Sequence, residues 1–195
     1  MTRVEQLDAI VSQFELNGHP FYQDWKQGIL PTEKLTSYAA EYGSFVAQIA
    51  SGWETLGEMH YAEEEREHEE LWSSFQESVG SAKVASLPST VTLTTSAANL
   101  FGEKATSVGA LYAFEAQQPY TSKAKLDGLN EHYQVSDEGK EYFRVHADDV
   151  AEVELLRDYV AKMTEEEFAQ TKTACAIVCS AMYGALDGIY YATAA

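Results

Sequence analysis

Apolar residues recur every three or four positions along almost the whole chain, and that spacing commits it to helices packed on helices. Val4, Leu7, Ile10, Val11 and Phe14 form one stripe; Leu35, Tyr38, Tyr42, Phe45, Val46 and Ile49 form another. Only Thr90 to Thr94 alternates as a strand does. Such a segment alone builds no sheet, so it reads as the start of a helix running to Phe101. Asn17-Gly18, Gly28, Pro119 and the stretch from Gly80 to Ser89 mark the interruptions. A long helix opens at Pro31-Thr32 with Thr32 as N-cap, and a charged one runs from His60 to Val79. Another runs from about Glu138 to Met163, and a last one from Phe168 to Tyr191 follows the capping box of Thr164 and Glu167. The expected architecture is one all-α domain over residues 1–195, a bundle of seven or eight helices.

Charge narrows the function. Thirteen Lys and Arg oppose 31 Asp and Glu, a formal net charge of −18. Such a surface repels phosphate, and no basic stripe offsets it, so no nucleic-acid partner is expected. No unbroken run of about 18 apolar residues predicts a membrane span. The charged N-terminus predicts no leader, and a cytoplasmic protein is expected. Cys175 and Cys179, four apart on one helix face, read as small buried residues rather than a redox pair.

Three places could carry chemistry. Glu64 and His68 lie at i, i+4 and can share a metal ion; six glutamates between positions 63 and 70 also fit a plain solvated face. Glu115 is the one charge in Val-Gly-Ala-Leu-Tyr-Ala-Phe-Glu-Ala-Gln-Gln-Pro. A carboxylate there needs a metal or a cationic partner, Arg144 and Arg157 being the candidates. His146 and Asp149 lie one turn apart. Bundles that hold two irons use inward carboxylates and Glu-x-x-His pairs. Glu64, His68, Glu115, His146 and Asp149 would make such a set, suited to iron, as one or two ions, or to manganese. Tyr22, Tyr38 and Tyr142 fall near it in helix order, although a tyrosine stripe also suits core packing. Phosphate-binding glycine loops and a G-x-S-x-G elbow are absent.

These residues also carry a family likeness. His19-Pro20-Phe21-Tyr22-Gln23-Asp24-Trp25, Tyr38-Ala39-Ala40-Glu41-Tyr42, His68-Glu69-Glu70-Leu71-Trp72, Tyr112-Ala113-Phe114-Glu115 and Tyr142-Phe143-Arg144-Val145-His146-Ala147 stand in the order of the TenA/PqqC/CADD-like group, which the chain resembles. The resemblance implies the haem-oxygenase-like all-α fold without haem, commonly as a homodimer. TenA-type thiaminases carry a mid-chain cysteine, where this chain has Glu115. PqqC-type enzymes need a basic pocket, which 13 basic residues hardly supply. CADD-like oxidases hold two irons, and His68, Glu115 and His146 match part of their pattern. The pattern's remaining ligand positions are Tyr61, Val150 and Val153 here. CADD-like proteins build p-aminobenzoate from one of their own tyrosines with an internal lysine as amine source; Tyr22 and Tyr38 stand at comparable places, and Lys125 lies ten residues past Glu115. The expected function is a non-haem iron oxidase or oxygenase acting on a small organic substrate. The other reading is a non-catalytic protein that binds a small ligand or a partner and has lost its metal site.

Overall fold

The computed structural model describes residues 1–81 and 84–192. Eleven α-helices account for most of them, and no strand occurs among the described residues. They are α1 (Arg3–Gln13), α2 (Pro20–Lys26), α3 (Thr32–Val46), α4 (Ile49–Leu56), α5 (Met59–Ser78) and α6 (Pro88–Leu100). The remainder are α7 (Lys104–Glu115), α8 (Gln118–His132), α9 (Asp137–His146), α10 (Ala151–Lys162) and α11 (Glu165–Tyr191). Counting α3 with α4 and α9 with α10 as the single helices the apolar spacing suggests, and joining α7 to α8 across Pro119, leaves eight helices.

Local chemistry sets the ends. Thr2 with Glu5 and Thr164 with Glu167 form reciprocal capping boxes at α1 and α11. His19 caps α2 through Nδ1, which accepts from the Phe21 N–H at 3.0 Å, and Pro20 fills the first turn. Thr90 to Thr94 is helical, inside α6. Two sequence expectations differ from what forms. Thr32 is the first residue of α3 rather than its cap, and Pro31 before it offers no side-chain acceptor. The helix expected from Glu138 to Met163 breaks between His146 and Ala151. There Asp149 Oδ1 accepts from the Ala151 N–H at 2.9 Å, the local bond by which Asp competes with helix continuation.

The α7 helix is the axis of the packing. Its residues from Ser107 to Glu115 are all buried, and it lies against α11, α4 and α10. Gly109 allows the approach, because a Cβ there would strike the backbone of Thr171 on α11. On the other side α5 packs against α9, α4 and α3. Among the described residues α11 is the one helix long and apolar enough to cross a membrane. It serves here as a core helix, with Cys175 and Cys179 fully buried and free along it.

Candidate metal centre

Four helices send ionisable groups into the space beside α7. Glu65 and His68 leave α5 at i, i+3; Glu115 ends α7; His146 ends α9; Glu152 lies in the first turn of α10. The break after His146 is what delivers both His146 and Glu152, since the chain bends between them. Glu65 and Glu115 are each 2% exposed, His146 2% and Glu152 5%, and the His68 side chain is 12% exposed.

The donors form two groups, Glu65 with His68 and His146, and Glu65 with Glu115 and Glu152. Within each group the donor atoms lie within 4.8 Å of one another, and Glu65 belongs to both. Little else satisfies them. Both Glu115 oxygens, Glu65 Oε2, Glu152 Oε1 and His146 Nε2 are buried with no hydrogen-bond partner. The indole of Trp53 faces Glu115 and favours its charged form, but at hydrogen-bonding geometry its N–H too is unpartnered. His146 Nδ1 lies 2.6 Å from the Tyr142 carbonyl. A carbonyl only accepts, so Nδ1 carries the proton and Nε2 keeps a free lone pair, the tautomer of a metal ligand.

Electrostatics agrees. Burial, then Glu152 and Glu65, holds Glu115 well above the carboxylate range. Burial, then Glu65 and Asp149, pushes Glu152 up to about 9. Burial and the neighbouring His68 lower His146 to about 4. Burial also pulls on His68, but Glu65, Glu64 and Asp149 outweigh it and raise the ring above its ordinary value. A cluster of buried acceptors that resists its own charge fits a cation. Its oxygen and nitrogen donors suit iron or manganese better than a thiolate-seeking metal.

Of the residues the sequence pointed to, His68, Glu115 and His146 meet here. Glu64 and Asp149 do not join either group. Glu64 is partly exposed, 3.9 Å from His60 Nε2, and Asp149 caps Ala151. Arg144 pairs with Glu141, and Arg157 with Glu154 and Tyr112, so neither neutralises Glu115. Glu65 was missed, and Glu152 was seen only as a carboxylate after His146 that falls out of the family's register. Glu65-x-x-His68 has the spacing of a bundle iron ligand pair, and Glu152 shares a helix face with buried Leu156.

A second chamber adjoins the first. Tyr22 and Tyr38 touch hydroxyl to hydroxyl at 2.9 Å. Lys125 Nζ lies 3.4 Å from the Tyr38 hydroxyl, 5.1 Å from the Tyr22 ring centre and 5.4 Å from that of Phe143. Tyr22, Tyr38 and Lys125 are 1%, 0% and 3% exposed. Among the described residues no carboxylate faces the amine, and burial lowers its pKa to about 7. Trp72 links the chambers, with ring centres 5.6 Å from Tyr38 and 4.8 Å from Tyr142. Tyr142 lies 4.3 Å from the His146 ring and accepts from Gln118 at 2.8 Å. A surface groove of about 950 Å³ lies between α1, α6 and α11 and touches neither chamber.

Comparison with known proteins places this geometry. The chain is 27% identical to the 4-aminobenzoate synthase of Nitrosomonas europaea, covering 95% of this chain and 90% of that one. It is 28% identical to the 4-aminobenzoate synthase of Chlamydia muridarum, covering 96% and 89%. A TenA homologue from Pseudomonas syringae pv. tomato superposes with a TM-score of 0.79 at 15% identity, over 96% of this chain and 92% of that one. A CADD-like protein from Nostoc punctiforme gives 0.62 at 16% identity, over 95% of each. The fold is therefore haem-oxygenase-like. The family model described as iron-containing redox enzyme matches residues 46–183, and the chain belongs to that family.

Proposed function

We propose that this chain is an iron-dependent oxidase that makes 4-aminobenzoate from its own side chains. The observation that carries the reading is Lys125, a buried amine without a counter-charge, held against the Tyr38 hydroxyl and over the Tyr22 ring, one aromatic layer from the carboxylate–imidazole cluster. The names of the two synthases above support it.

The product's atoms match what the chamber holds. A tyrosine side chain brings a benzene ring with one carbon attached and an oxygen opposite. The tyrosine Cα–Cβ bond breaks and the freed carbon is oxidised at the expense of dioxygen to the carboxyl carbon; the lysine nitrogen replaces the phenol oxygen, which leaves as water, and the lysine side chain is left as an aldehyde. Either Tyr22 or Tyr38 supplies the ring. Burial of Tyr22, Tyr38 and Lys125 keeps bulk water from the reacting groups, and dioxygen is the small molecule the reaction draws on. Lys125 sheds its proton easily because burial disfavours its cation, which leaves a lone pair at Nζ. Tyr142 ties the chambers together, its carbonyl fixing His146 and its ring lying beside Trp72. Glu65, His68 and His146 would hold one metal ion, and Glu65, Glu115 and Glu152 a second. Bound iron supplies the activation of dioxygen as oxidant.

The test uses protein grown with heavy-nitrogen lysine, loaded with iron and exposed to reductant and air. The expected result is heavy 4-aminobenzoate, never above one equivalent per chain, with Tyr22 or Tyr38 losing its hydroxybenzyl group in peptide mass spectra. Lys125→Met should make none. Light product, intact tyrosines, or repeated turnover of an added substrate would overturn the reading.

A further inference from the structure

Tyr61 stands one turn before Glu65 on α5, so the two side chains leave the helix on the same face. Its ring stacks on Trp53 at 5.0 Å between centres and 28° between planes. Trp53 is the fully buried indole that faces Glu115. After its own partial burial, the group that acts most strongly on the Tyr61 phenol is the carboxylate of Glu152, ahead of Glu64, Asp149 and Glu58. Tyr61 is thus tied to each member of the all-carboxylate group: to Glu65 by helix position, to Glu115 through Trp53, and to Glu152 by charge. No described residue forms a hydrogen bond at its hydroxyl.

The other donors nearby are engaged or remote. Glu58 accepts from the Tyr159 hydroxyl at 2.5 Å, Asp149 caps Ala151, and Glu64 lies beside His60, whose side chain is 85% exposed. The group itself is short of donors and of charge. Glu65, Glu115 and Glu152 offer three carboxylates and no nitrogen, where an oxygen-ligated ion of this kind prefers six donors. Two ferric ions bring six positive charges against those three negative ones, and a buried surplus of charge demands further anionic ligands. A phenol beside such an ion gives up its proton as a metal-bound water or thiol does.

We propose that Tyr61 is a further ligand of the ion held by Glu65, Glu115 and Glu152, binding as the phenolate in the ferric state. The proposal rests on the two-ion reading of the centre. Wild-type protein loaded with iron and oxidised should show the visible charge-transfer absorption of a ferric phenolate, with resonance-enhanced phenolate ring modes. Tyr61→Phe keeps the stack on Trp53. It should lose both signals while its iron content at saturation stays that of the wild type. Tyr142→Phe should keep them. A wild-type ferric protein without the band, or a band that survives Tyr61→Phe, overturns the proposal and leaves the centre standing. Iron analysis separates that from a deeper failure: if the wild type binds fewer than two ions, the two-ion reading fails and this ligand fails with it.

Discussion

The carboxylate–imidazole centre and the tyrosine–lysine chamber are neighbours, yet burial drives their ionisations in opposite senses. Glu115 and Glu152 are held above the carboxylate range, while Lys125 is held far below the usual range for an amine. In both regions burial favours the neutral form of these groups when no metal is present. The difference lies in what each needs. The acidic region has His68 against Glu65 at 3.2 Å but otherwise holds acceptors in excess of donors, which cations would complete. The basic region has its amine and its two phenols already in contact and needs no further partner.

Substitutions can break or sharpen that contrast. The largest effect is expected from Glu65→Ala, which removes the one donor shared by both groups. Iron retained after dialysis should fall by about 100-fold or more, whereas Lys125→Met should retain it at the wild-type level. Equal iron in both variants would erase the division between the regions.

The next effect is on pH dependence in metal-free protein. Glu152 is raised from 4.5 to about 9. The stability it contributes is complete below the unfolded value and is lost as pH rises through that window. Lys125 is lowered from 10.5 to about 7. Between those values the unfolded chain binds more protons, so stability rises with pH. Urea unfolding at about pH 5, 7 and 9 should therefore respond oppositely: Glu152→Gln removes a fall and Lys125→Met removes a rise, each with a limiting slope of about 1.4 kcal/mol per pH unit. Slopes of the same sign would contradict the assignment.

A third comparison sets Glu115 against Glu41, another buried carboxylate. Glu41 accepts from the Ser86 N–H at 2.8 Å, the Ser86 hydroxyl at 3.1 Å and the Leu87 N–H at 3.2 Å, and so pins the entry to α6. Glu41→Ala should cost about 2–3 kcal/mol. Glu115→Met should instead stabilise the metal-free protein, by about 1–3 kcal/mol, because it removes an unsatisfied buried carboxyl. The smallest effect is Tyr22→Phe, which deletes one hydroxyl contact for about 1 kcal/mol and leaves iron binding intact.

The sequence made the helices legible because their apolar spacing is regular, and it made Glu115 conspicuous because nothing else on that turn is charged. It did not disclose register. Among Glu63, Glu64 and Glu65 only Glu65 stands three before His68, yet six glutamates close together hide that spacing until α5 packs against α9 and turns Glu65 inward. Asp149 was misplaced for a related reason. Its spacing from His146 assumes a continuous helix, and the break before Ala151 brings Glu152 in instead. Lys125 shows a third limit. Nothing near it in sequence reveals that its amine is buried among rings drawn from α2, α3 and α9.

Because one carboxylate serves both ligand groups, the two cation positions cannot fill independently. The first ion to arrive must fix the Glu65 side chain, which readies the second position before its own occupant comes. Uptake measured against free iron should trace a sigmoid, and half-loaded chains should be scarce at every concentration.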